Sequence, residues 1–172
     1  MSDLQKINMT FRKVEIERFS VISSKPFGAV VAALKSAVGK PDLVEFMKST
    51  KVARTFAELE SAVQRGLGRA GLMMFMELDH GAILRRETGL DSPKIVRFLV
   101  GNPLIMKEMA KTVPDAASYA PATILVDERA DGVHLSYDSM ASLIAPYRSQ
   151  AALVVARDLD AKIEGLLKSA GL

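Results

Sequence analysis

The chain has no cysteine and no tryptophan. The first absence excludes disulfides, thiolate metal sites and cysteine nucleophiles. Imidazole is almost as scarce, since His80 and His134 are the two histidines of the sequence. Seven Phe and three Tyr supply only 6% aromatic residues, against nine Met. A core of aliphatic and methionine side chains is therefore expected, because thioethers fill irregular space or line adaptable apolar cavities. No apolar run approaches the ~18 residues of a membrane span. The segment Met1–Lys13 is polar and lacks the apolar stretch of a secretory signal, so a cytoplasmic location is expected. Lys and Arg number 23 against 20 Asp and Glu, a net charge of +3. Lys48, Lys51, Arg54, Arg65 and Arg69 form a loose basic stretch interrupted by Glu58 and Glu60, which reads as a solvated helical face. Neither nucleic acid nor a membrane is an expected partner.

What is present suits an ordinary core: 49% of the 172 residues are hydrophobic. One domain over residues 1–172 is expected, with a tail at 1–12 and a helical insertion at 41–70. Val14 to Ile22 reads as a strand whose apolar phase slips near Glu17-Arg18, the mark of a bulge. Ser24-Lys25-Pro26 reads as a capped helix start, and Phe27, Val30, Val31, Leu34 and Val38 follow at helical spacing. Two short stripes fill 41–70, with Thr55 and Glu58 in a capping-box relation. Leu72 to Leu78 lacks alternation, which predicts a central strand covered on both faces.

A short segment, one helical turn, should follow His80 as far as Gly89. Ile95 to Val100 reads as a strand with Arg97 its single charge. Gly101-Asn102-Pro103 should turn it into a helix: Asn102 caps and Pro103 takes the first helical position. Ala122–Asp127 and Val133–Tyr137 form a hairpin about Asp131-Gly132, with Val133, Leu135 and Tyr137 on one face and His134 and Ser136 on the other. A long helix closes the chain, its stripe of Leu153, Ala156, Leu159, Ile163 and Leu166 interrupted by Asp160. This order predicts an α+β fold, a mainly antiparallel sheet with helices packed on one face. Gly66-Leu67-Gly68-Arg69-Ala70-Gly71 imitates a dinucleotide fingerprint, but it precedes a strand where the fingerprint must follow one.

Asp79-His80-Gly81, Gly89-Leu90, Pro93, Gly101-Asn102-Pro103, Pro114, Pro121, Leu125-Val126, Glu128, Asp131-Gly132 and Ser136-Tyr137 stand in an ordered series. On these residues the chain, over roughly 13–145, resembles the domain-of-unknown-function 302 family. The resemblance implies a β-α-β4-α core, similar in topology to TATA-box-binding-protein-like and birch-allergen-like folds, and a homodimer. It implies no activity. Against the family pattern, residues 41–70 look like an addition. Leu104-Ile105-Met106-Lys107 replaces the Gly-Thr pair common after Asn-Pro, and Asp127 stands where an aromatic is common.

Within that frame, Asp79 could orient His80 as a general base, or simply cap the next helical turn. The expected function is a homodimeric module without catalysis that binds a partner or a small apolar or amphipathic molecule. Its pocket is expected between sheet and helix, lined by Met74, Met76, Phe98 and Met109, with Asp79, His80, Asn102 and Tyr137 as polar fixtures. The alternative is an enzyme with His80 as base, Asp79 orienting it and Tyr137 as acid. No cofactor is expected. No metal is expected either, since no local ligand spacing joins His80 and His134 to Asp79 or Glu128.

Overall fold

The structure, a computed structural model, describes residues 9–172; most of the tail expected at 1–12 lies outside them. Five strands form one antiparallel sheet in the order β1-β5-β4-β3-β2. They are β1 Arg18–Ser23, β2 Met73–Asp79, β3 Ile95–Gly101, β4 Ala122–Arg129 and β5 Gly132–Asp138. The helices are α1 Phe27–Ala37, α2 Leu43–Val52, α3 Phe56–Gly66, α4 Gly81–Thr88, α5 Pro103–Ala110, α6 Met140–Ile144 and α7 Gln150–Gly171. The α+β class and the antiparallel sheet are as the sequence pattern predicts.

Alternation along β3 and the first half of β4 separates two faces. Val96, Phe98 and Val100 point with Ile124, Val126, Leu135 and Tyr137 into a core closed by Leu34 of α1 and by Leu159, Ile163 and Leu167 of α7. Burial of such side chains contributes roughly 1.5–3 kcal/mol each, which is why one continuous face organises the fold. Leu78, Ile95, Arg97, Leu99, Thr123 and Leu125 take the other face and stay half-buried.

Local chemistry sets the helix ends. Asp42 accepts from the Val44 and Glu45 amides, and Thr55 accepts from Glu58 N. Glu58 reaches back to Arg54 N at 2.7 Å, one residue before the cap. Asn102 accepts from Leu104 N at 2.9 Å, and its amide also donates to Gly71 O at 3.0 Å, tying the α5 start to the chain before β2.

Several expectations are corrected. The first strand begins at Arg18, because residues 14–17 leave the sheet; Glu17 there binds Ser139 N through its carbonyl and Ser142 Oγ through its amide. The β1 register is unbroken, and the bulge lies in β2 between Met74 and Met76. Ser24 does not cap α1. Pro26 holds the cap position without a side-chain bond, and the neighbouring Ser23 hydroxyl donates to Gly171 O at 2.6 Å. The apolar strand β2 is an edge strand, not a central one. Met73 and Met74 are buried, while Met76 is 48% exposed on the far face. The segment after His80 is a two-turn helix, α4, ended by Gly89 at φ 71°.

The glycine-rich stretch before β2 serves close packing. A Cβ on Gly68 would lie 2.4 Å from Gly39 N, and the amides of both glycines donate to Leu72 O, at 3.0 Å and 2.9 Å. The end of α1 and the loop after α3 are thus sewn to the start of β2 backbone to backbone.

Candidate functional site

The sheet face turned away from α1 and α7 is built as three transverse rows. Leu78, Arg97, Leu125, Ser136 and Ser20 stand opposite one another across all five strands. On one side of that row run Met76, Leu99 and Thr123; on the other, Ile95, Asp127, His134 and Ile22. The half over β2, β3 and β4 is therefore mainly aliphatic around one guanidinium. The half over β5 and β1 is mainly polar, although Ile22 is 56% exposed there.

A groove of about 240 Å³ crosses this face, lined by His80, Arg97, Thr123, Leu125, Ser136 and Asp138 among others. Arg97 donates to Thr123 Oγ1 from Nε at 3.3 Å and from Nη2 at 3.0 Å. Among the described residues it has no carboxylate within 4.0 Å. The polar groups nearest it are already matched. Asp138 takes a two-point bond from Arg18, at 2.6 Å and 2.9 Å, Asp127 is held by Arg129, and His134 Nε2 lies 2.8 Å from Asp131 Oδ1.

The eight residues expected to share one pocket are dispersed. Phe98 and Met109 are wholly buried and Met74 nearly so, in the close-packed core. Met76 lies on the outer face, and Asn102 is spent on its cap. Asp79 does not orient His80: its carboxylate accepts from Ala82 N at 3.0 Å and pairs with Arg85 at 2.7 Å. That Arg85 bond holds the Asp79 carboxyl below the usual carboxylate range. His80 borders the outer groove, and its ring makes no capping bond to α4.

Tyr137 also borders the groove, but its hydroxyl turns to the core and donates to Asp160 Oδ1 at 2.7 Å. Asp160, though 7% exposed, accepts in addition from Ser139 Oγ, Met140 N and Ala141 N. Four donors satisfy both oxygens, and the carboxylate holds the start of α6 from across the core. Burial, then the Asp160 charge, pushes the Tyr137 phenol far above its ordinary value. Such a phenol keeps its proton, and no hydrogen bond joins Asp79, His80 and Tyr137 into an acid–base relay.

Among the described residues, no three or more His, Asp or Glu side chains lie close enough to hold a metal ion. No described helix is long and apolar enough to cross a membrane.

Arg97 and Asp160 are site residues outside the eight expected ones, although each stands out in the sequence as a lone charge in an apolar pattern. Comparisons with known proteins agree with the fold. A crystal structure of an uncharacterised conserved DUF302 protein from Bacillus stearothermophilus superposes with a TM-score of 0.62 at 15% identity, covering 89% of this chain and 97% of that one. A likeness at that identity speaks for the fold alone. No curated protein matches the chain. The family model described as domain of unknown function DUF302 matches residues 48–170, from within α2 into the last turn of α7. The chain therefore belongs to the DUF302 family.

Proposed function

We propose that this chain is a binding module without catalysis, and that the outer face of its sheet is the surface that binds a small amphipathic molecule. One observation carries the reading: Leu78, Ile95, Leu99 and Leu125 lie half-buried around Arg97, on the face turned away from α1 and α7. Leu125 lines the groove together with Arg97, and the other three side chains extend the aliphatic surface beside it; apolar surface next to a few polar groups is what small-molecule sites use. Native mass spectrometry on gently purified protein tests this. The expected result is a discrete retained mass on the wild type that is lost from Leu125→Gln. An adduct that survives Leu125→Gln and Leu99→Gln alike would refute the outer face as its seat.

We infer further that the module works as a homodimer through α2, which has no buried residue. Val44, Met47, Lys48, Lys51 and Val52 make one exposed stripe at helical spacing. Asp42 and Glu45 stand at the start of that helix and the two lysines nearer its end. Two copies laid antiparallel about a two-fold axis would set acidic start against basic end, a self-complementary pairing. Sedimentation of Met47→Glu should give a monomer where the wild type gives a dimer. A monomeric wild type, or a dimer indifferent to Met47→Glu, would contradict this arrangement.

A further inference from the structure

We propose that Arg97 makes the outer-face groove an anion site, and that its ligand is a medium-chain carboxylate whose acid group docks on that guanidinium. This rests on the reading of the outer face as a binding surface and adds the ligand's charge and class.

The geometry of the guanidinium supports it. The Nε–H and one Nη2–H are spent on the Thr123 hydroxyl. That leaves both Nη1 hydrogens and the second Nη2 hydrogen; one Nη1–H and that Nη2–H form the parallel end-on pair that matches the two oxygens of a carboxylate. The bond to Thr123 also holds the guanidinium in place, so less side-chain freedom is lost on binding.

A half-buried arginine inside a sheet is costly to leave without a counter-charge, since its attraction for an anion is weakly screened there. The one carboxylate lining the same groove, Asp138, is already neutralised by the two-point bond from Arg18. The Thr123 and Ser136 hydroxyls and the His80 ring add donors around the same space.

The size and flanks of the groove set the rest of the ligand. About 240 Å³ holds on the order of eight water-sized groups, at roughly 30 Å³ each. Leu78 and Leu125 stand directly beside Arg97 in its row, and Leu99 follows two residues along β3. Leu125 lines the groove itself, and Leu78 and Leu99 continue the aliphatic surface beyond its lining, so an acid group at Arg97 has surface for its tail that inorganic phosphate could not use.

The test titrates the full chain with sodium octanoate, 1-octanol, octylammonium and inorganic phosphate, followed by amide chemical shifts. Octanoate should move the resonances of Arg97, Thr123, Leu125 and Ser136, and bind about tenfold or more tighter than octanol, as a charge-assisted bond implies. Octylammonium should bind more weakly still. Arg97→Gln can keep a bond to Thr123 while losing the charge; it should bring octanoate down to the affinity of octanol. Arg97→Lys, with its charge but no fork, should fall between.

Octanol and octanoate binding equally on this face, unchanged by Arg97→Gln, would overturn the anion site and leave the binding face standing. Phosphate as tight as octanoate would overturn the medium-chain class. Resonances of this face that move with none of the four probes would overturn the site and the reading beneath it together.

Discussion

The Tyr137 hydroxyl and the Asp160 carboxylate meet at 2.7 Å across 23 residues of sequence, joining β5 to α7 beneath the sheet. Because Met140 N, Ala141 N and Ser139 Oγ converge on the same carboxylate, the contact fixes α6 as well. Asp160→Ala strands several buried donors at once and should destabilise by about 3 kcal/mol or more. Tyr137→Phe should cost about 1–3 kcal/mol. Urea unfolding measures both. Wild-type stability in Asp160→Ala would show that the network is not structural.

Two phenols give the fold an alkaline limit. Tyr137 is held protonated by burial and by Asp160, and the bond to the Tyr147 hydroxyl raises Tyr119 from 10.0 to about 12. In the unfolded chain both lose their protons near pH 10. Above that pH the folded state holds more protons than the unfolded one. Their contribution is therefore complete below about pH 10 and declines as pH rises beyond it. The urea midpoint should fall above about pH 10, and less steeply in Tyr119→Phe. A midpoint level across that range would contradict both assignments.

Where Gly68 meets Gly39, a methyl group has no room, since the nearest atoms are backbone. Gly68→Ala should destabilise by roughly 3 kcal/mol, at the upper end of overpacking costs. Gly165→Ala, where nothing lies within 4 Å, should be neutral or slightly stabilising. Calorimetric melting of the two variants side by side checks the contrast; equal melting temperatures would refute the close approach.

Asp79 and His80 separate by role. Asp79→Ala removes the bond to Ala82 N and should cost about 0.5–2 kcal/mol, typical of a lost helix cap. His80→Ala should change stability by less than about 0.5 kcal/mol. A strongly destabilised His80→Ala protein would make that ring a packing element.

The parts of the fold that were legible rest on short-range chemistry. Asn102-Pro103 and Thr55 announce their helix starts because a cap needs only the next three residues. The apolar run Ile95 to Val100 announces a strand, while its two-faced character shows in the sequence only through Arg97. The β2 strand misled because Met73 and Met74 are core residues whereas Met76, beyond the bulge, is on the outer face; a bulge breaks alternation much as double burial does. The candidate site was less legible still. Asp79 and His80 adjoin in sequence, yet the aspartate found Arg85 six residues on, and Tyr137 found a partner on α7 that no local pattern could join to it. The usable signals were charges out of place: Asp160 in an apolar helical stripe and Arg97 alone in an apolar strand.

A crystal structure of the octanoate complex tests the claim for the outer face most directly. The expected result is a carboxylate about 2.7–2.9 Å from the terminal nitrogens of Arg97, with the tail along Leu78, Leu99 or Leu125. Octanoate lodged elsewhere on the protein, with the groove beside Arg97 bare, would contradict it.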